Sequence, residues 1–161
     1  MIAHLLTGDD PAGIFEAVAD YLTGLGWTVA REEIGGQANG YTTIDGTRRV
    51  VIDAHLAPAQ AAKTVLHEAA HVLLHAEQDP GEYVAHRGMK ETEAESVAYV
   101  VAGILGLDTS AYSIGYVAGW SEGDAETIKA TAARVLATAH TLAVALAHTP
   151  DPEAQLATAA A

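Results

Sequence analysis

The sequence predicts an α+β fold in one domain, a small sheet packed against helices, and three observations carry that prediction. Strand-like runs within residues 27–53 are punctuated by Gly35-Gly36 and Asp45-Gly46, a long helix-forming run starts at Pro58, and an Ala-rich periodic segment spans residues 125–147. With 161 residues, 50% of them hydrophobic, the chain can bury a real core without disulfide staples, and it has no cysteine. The domain is expected over residues 1–148. The tail 149–161 carries two prolines and little to bury, and is expected to fray.

Taken in order, Asp9 or Asp10 can cap a first helix with Pro11 at its first position. Ile14, Phe15, Val18, Tyr21, Leu22 and Leu25 then keep an apolar stripe until Gly24 and Gly26 end it. Trp27–Glu33, Gly40–Ile44 and Arg48–Asp53 read as strands, and Asp45-Gly46 is a hairpin signal between the last two. No Gly or Pro interrupts Ala59–Gln78, which is expected to be a continuous helix after Pro58. Residues 79–90, with Pro80, Gly81 and Gly88, read as a loop before a helix that starts at Glu91 and ends at Gly106 or Asp108. A Gly123-Asp124 break precedes the last helix.

The chemistry sits in His67-Glu68-Ala69-Ala70-His71. Helical positions i and i+4 share a face, so the two imidazoles can converge on one divalent ion while Glu68 points beside it. A zinc ion with three protein ligands and an open position lowers the pKa of a water, and a neighbouring carboxylate can take its proton. Accidental occurrence of the pentapeptide is the competing explanation, and the uninterrupted helical context argues against it.

Two imidazoles leave such a zinc under-coordinated, and without cysteine the third ligand must be an acid or histidine further on. Glu91 and Glu95 share a face on the next predicted helix, which begins twenty residues after His71. Either can serve; the geometric choice is Glu91 in the first turn as ligand, with Glu95 one turn on holding a ligand histidine in its tautomer. The competing explanation is an acidic first turn that complements the helix dipole. Glu93 is expected to point elsewhere, into solvent. His75 continues the i, i+4, i+8 row about 6 Å beyond reach of the ion, and is expected to interact with the helix C-terminus. His86 reads as an ordinary loop histidine. Tyr116 is a candidate oxyanion donor, with packing against Trp120 as its structural alternative. Asn39–Thr43 or Arg48–Ile52 is the candidate sheet edge on which an extended peptide could pair.

The run His67-Glu68-Ala69-Ala70-His71-Val72-Leu73-Leu74-His75, followed by Glu91-Thr92-Glu93-Ala94-Glu95-Ser96-Val97-Ala98-Tyr99, resembles the ImmA/IrrE-like zinc metallopeptidases. These are gluzincins with the pattern HExxHxLLH and then E-x-x-A on a following helix. Ser113-Ile114-Gly115-Tyr116-Val117-Ala118-Gly119-Trp120 looks closer still to the zincin-like C-terminal domain of ArdC-type antirestriction proteins. The resemblance covers roughly residues 37–147. It implies a zincin-like metallopeptidase fold, a bound Zn2+ and peptide hydrolysis, and places the pattern's first glutamate on Glu91. In the ImmA/IrrE-like family the substrates are commonly repressor proteins. No counterpart of the ArdC pattern's N-terminal single-stranded-DNA-binding domain is read in these residues, so that activity is not expected to carry over.

Composition bounds the partners. The formal charge of -13, from 21 acids against 8 bases, repels a phosphate backbone, so direct nucleic-acid binding is not expected and a basic protein or peptide is the favoured substrate. Neither a leader-like opening nor an apolar run of membrane length is read in the sequence, so no membrane association is expected and the cytoplasm is the default location. Two other functions fit the motif: a zinc-stabilised interaction module of antirestriction type without hydrolytic activity, and a hydrolase of small amides. An intact Glu68 argues against the first, since structural zinc needs no base, and a deep closed pocket would mark the second.

Overall fold

The computed structural model describes residues 5–36, 38–76, 87–107 and 125–147. Chain order is helix α1 (Ile14–Gly24), strands β1 (Thr28–Glu32), β2 (Gly40–Thr42) and β3 (Arg49–Asp53), then helices α2 (Pro58–His75), α3 (Arg87–Ile104) and α4 (Ala125–Ala147). The predicted α+β layout is what forms, and it is compatible with a zincin-like fold. The expected tail, Tyr116, Trp120, His86 and the Gly123-Asp124 break lie outside the described residues.

The α1 helix starts later than its capping signals suggest. Asp10 does cap it, accepting hydrogen bonds from Ile14 N and Phe15 N at 2.9 Å each, but from four residues back, so Pro11 lies in the turn ahead of the helix. Ile14, Val18 and Leu22 bury its apolar stripe. At the other end Gly26 takes φ 89° and Trp27 N closes on Leu22 O at 3.0 Å, a backbone cap that needs glycine's left-handed freedom.

Strand order is β1-β3-β2, with β1 parallel and β2 antiparallel to β3. The Val50-Val51-Ile52 run is fully buried, as a central strand covered on both faces must be. That corrects one of the two candidate edges: Arg48–Ile52 has neighbours on both sides and offers no free ladder, whereas β2 is an edge among the described strands. The Asp45-Gly46 signal does mark the link between them. Asp45 Oδ1 accepts from Thr47 N at 3.0 Å and Thr47 Oγ1 at 2.6 Å, and Thr43 N reaches Arg49 O at 2.9 Å.

Pro58 opens α2, which packs on β2, β3 and α1 and most extensively on α3. The α3 helix begins a turn before its predicted start, at Arg87, so Gly88 to Lys90 are helical and Glu91 follows the first turn. Gly88 weakens local helix propensity, but packing on α2 decides the boundary. At its end Gly106 takes φ 85° and Leu107 N bonds Ala102 O at 2.9 Å, the glycine stop expected there. The α4 helix spans its predicted residues and buries Val135, Ala139, Leu142 and Leu146 against the rest of the core. Over Lys129–Ala147 it is also long and apolar enough to cross a membrane by length and composition, which corrects the expectation that no run reaches that measure. Its many alanines raise mean hydropathy without making a wholly apolar surface, and its buried row packs with α1, α3 and α2.

Candidate metal centre

One turn of α2 separates His67 from His71, and their Nε2 atoms lie 3.1 Å apart. From α3, Glu91 enters the same space: its Oε2 is 3.1 Å from His67 Nε2 and its Oε1 is 3.2 Å from His71 Nε2. Donor atoms of these three residues lie within 4.8 Å of one another, a set of two imidazoles and one carboxylate suited to a divalent transition ion. The pair predicted from helical spacing and the acid chosen from the second helix thus come together. Glu95, one turn beyond Glu91, places Oε1 2.6 Å from His67 Nδ1. A carboxylate against that nitrogen favours a proton on Nδ1, the ring atom that faces away from the cluster.

Electrostatics reflect the same convergence. Burial disfavours a charged His67, but hydrogen bonds to Glu91 and Glu95 and the fields of Glu95 and Glu68 outweigh it and raise the pKa to about 10. Burial likewise opposes ionisation of Glu91, yet the His67 and His71 contacts hold its carboxyl well below the usual range. Lys63, one turn before His67 on the cleft wall, is lowered to about 8 by burial, against the pull of Glu95.

Glu68 follows His67 and is buried at 6% exposure. Its Oε2 accepts a 2.6 Å hydrogen bond from Thr42 Oγ1 on the edge strand. The match of strand to helix explains the contact. Alternate residues of a strand advance about 6.8 Å and four residues of a helix about 6 Å, so two strand positions can face two successive turns of α2. Thr42 therefore meets Glu68, while Gly40, two residues earlier, meets Thr64, four residues earlier. Around these groups runs a half-open cleft of about 610 Å³ bounded by β2, α2 and the Glu91 and Glu95 carboxylates.

Two expectations fail behind the cluster. His75 does not serve the helix end: it is 3% exposed, and its Nδ1 lies 2.9 Å from His71 Nδ1. Glu93 is not solvated. It is 1% exposed, its Oε2 lies 3.6 Å from His75 Nε2, and its Oε1 accepts a hydrogen bond from the Arg134 guanidinium on α4. Burial keeps His75 below its ordinary pKa despite Glu93, and Glu93, though burial opposes it, is held ionised by His75 and Arg134. Nothing in one-dimensional spacing pairs Glu93 with Arg134, forty-one positions apart. Thr42 was missed for the same reason, although a polar β-branched residue in a strand just ahead of the motif helix is a signal that could have been weighed.

The IrrE N-terminal-like domain, a peptidase family, matches residues 23–111, more than half of the chain. The chain belongs to this metallopeptidase family. The matched span takes in the sheet, all of α2 and α3, and so His67, Glu68, His71, Glu91 and Glu95 of the IrrE N-terminal-like domain. A peptidase of this kind implies a metal, and the His67, His71 and Glu91 donors fit one. The match ends before Ser113–Trp120, the stretch that resembles ArdC-type proteins. No curated protein and no solved structure matches the chain.

Proposed function

We propose that this domain is a zinc-dependent peptidase in which His67, His71 and Glu91 hold Zn2+ and Glu68 is the general base. The observation that carries the reading is the convergence of two imidazole Nε2 atoms and a carboxylate in one cleft, beside a glutamate pinned by a hydroxyl from an edge strand. Held by these three residues, Zn2+ would supply Lewis acidity, which lowers the pKa of a water to near 7 and polarises a scissile carbonyl. Glu68 takes the water's proton and later delivers it to the leaving amine. Thr42 occupies Glu68 Oε2, so the other oxygen is the one left to handle the proton. Glu95 holds His67 in the tautomer that offers Nε2, and Tyr116 is assigned the oxyanion donor on sequence grounds alone. An extended peptide pairing with the edge of β2, unpaired on that side among the described residues, would be held by its backbone, with Tyr41, at 41% exposure, near the side chains that follow. A basic segment suits the charge of -13, and a repressor-type regulatory protein in the cytoplasm suits the resemblance.

The test pairs zinc content with cleavage in Glu68→Gln. Gln keeps the shape and the Thr42 contact but cannot act as a base, so metal and fold should persist. Proteome fragments generated by the parent should fall about 10²- to 10⁴-fold. Undiminished cleavage would remove Glu68 from the role of base, and biological activity that survives loss of cleavage would replace hydrolysis by an interaction role.

A further inference from the structure

The zinc ligand His71 is backed by a polar chain that crosses three helices: His71 and His75 on α2, Glu93 on α3 and Arg134 on α4. If His71 directs its Nε2 lone pair at the ion, its proton sits on Nδ1 and must be accepted by His75 Nδ1, 2.9 Å away. The two rings alone could equally adopt the reverse arrangement, with His75 donating and the proton of His71 moved to Nε2, where it would block the metal. The Glu93 carboxylate breaks that symmetry. It faces His75 Nε2 at 3.6 Å, beyond hydrogen-bond length but close enough for its charge to favour a proton there and disfavour a bare lone pair. With the proton on Nε2, His75 Nδ1 is the acceptor His71 requires. Glu93 can stay ionised at 1% exposure only with a partner, and the Arg134 guanidinium supplies it.

We propose that Arg134 is a positioning residue for the metal centre, acting through Glu93 and His75 to hold His71 in its ligating tautomer, so that the last helix sets the zinc affinity. The inference rests on the zinc reading above. It goes beyond it in making a residue on α4, which touches neither ion nor cleft, a determinant of metal binding.

The experiment measures zinc affinity of the metal-depleted full chain by competition with a chromophoric chelator. The visible absorption of the cobalt(II)-substituted protein and far-UV circular dichroism are recorded alongside. Glu93→Gln, and Arg134→Met where it folds, should bind zinc about 10- to 100-fold more weakly and shift the cobalt band, as expected for loss of an outer partner of a metal ligand. Arg134→Lys, which keeps the cation, should recover most of the loss. Since Arg134→Met strands a buried carboxylate and can unfold the chain, the Glu93→Gln/Arg134→Met pair, with no buried charge, carries the same test. Leu142→Ala, a cavity in the buried face of α4, serves as control for helix packing and should leave zinc affinity near the parental value. Parental affinity and spectrum in Glu93→Gln and in the paired variant would overturn the inference, and so would an equal loss in Leu142→Ala. A parent chain that takes up no zinc would overturn the zinc reading and this inference together, whereas zinc uptake with unaffected variants would overturn this inference alone.

Discussion

His67 is asked to do two opposed things, and that conflict is measurable. In the metal-free protein its pKa rises from 6.5 to about 10, so its ion pairs with Glu91 and Glu95 stabilise the fold fully below about pH 6.5 and are lost as pH rises through about 10. Glu91 runs the other way: lowered from 4.5, its contribution is present above that value and lost as pH falls through the lowered one. Zinc accepts only the neutral imidazole, so uptake at pH 7 must expel the proton His67 carries. Titration calorimetry in buffers of different ionisation enthalpy should therefore report about one proton released per zinc. Buffer-independent heats would show that His67 is already neutral in the metal-free protein. The two acids of α3 separate by the same method. Glu91→Ala removes a donor and should abolish tight binding, while Glu95→Ala, which only frees the His67 tautomer, should cost about 10- to 100-fold; the reverse order would make Glu95 the ligand.

Among the elements, β2 and α2 have to run side by side for Thr42 to reach Glu68, and Gly40 permits the approach. A Cβ at Gly40 would meet Thr64 Cγ2 at 2.9 Å, Ile52 Cδ1 at 3.0 Å and the backbone oxygen of Val51 at 3.0 Å. The last of these cannot turn away. Gly40→Ala should destabilise the fold by about 1–3 kcal/mol in chemical denaturation and loosen the hold on Glu68. An unchanged midpoint would mean the strand can shift without cost. The α2 helix and the shared face of His67 and His71 were legible because helical spacing and the Pro58 start both act locally. The start of α3 was not, because packing on α2 overrides the weak propensity of Gly88. Strand positions were legible too, but their order was not, since Arg48–Ile52 becomes central through pairing that no local pattern states.

At the scale of the whole molecule, the site joins three helices and the sheet edge, and legibility in the sequence divides along that line. The His67, His71, Glu91 and Glu95 placements follow from two periodicities, one on each helix. Glu93 is buried between His75 of α2 and Arg134 of α4, and His75 lies between His71 and Glu93, so both placements depend on how the helices pack, and a sequence reading puts one in solvent and the other at a helix end. Strong acidity, with a formal charge of -13, adds a cost to gathering further carboxylates at one point, and a bound cation offsets it. Zinc should then be part of the folded protein as purified. Elemental analysis of the full chain beside His67→Ala and His71→Ala tests this most directly: about one zinc per parent chain, lost in both variants while far-UV circular dichroism stays folded. Full occupancy in both variants, or a folded parent with no metal and no uptake on adding zinc, would contradict the metal centre and the peptidase chemistry built on it.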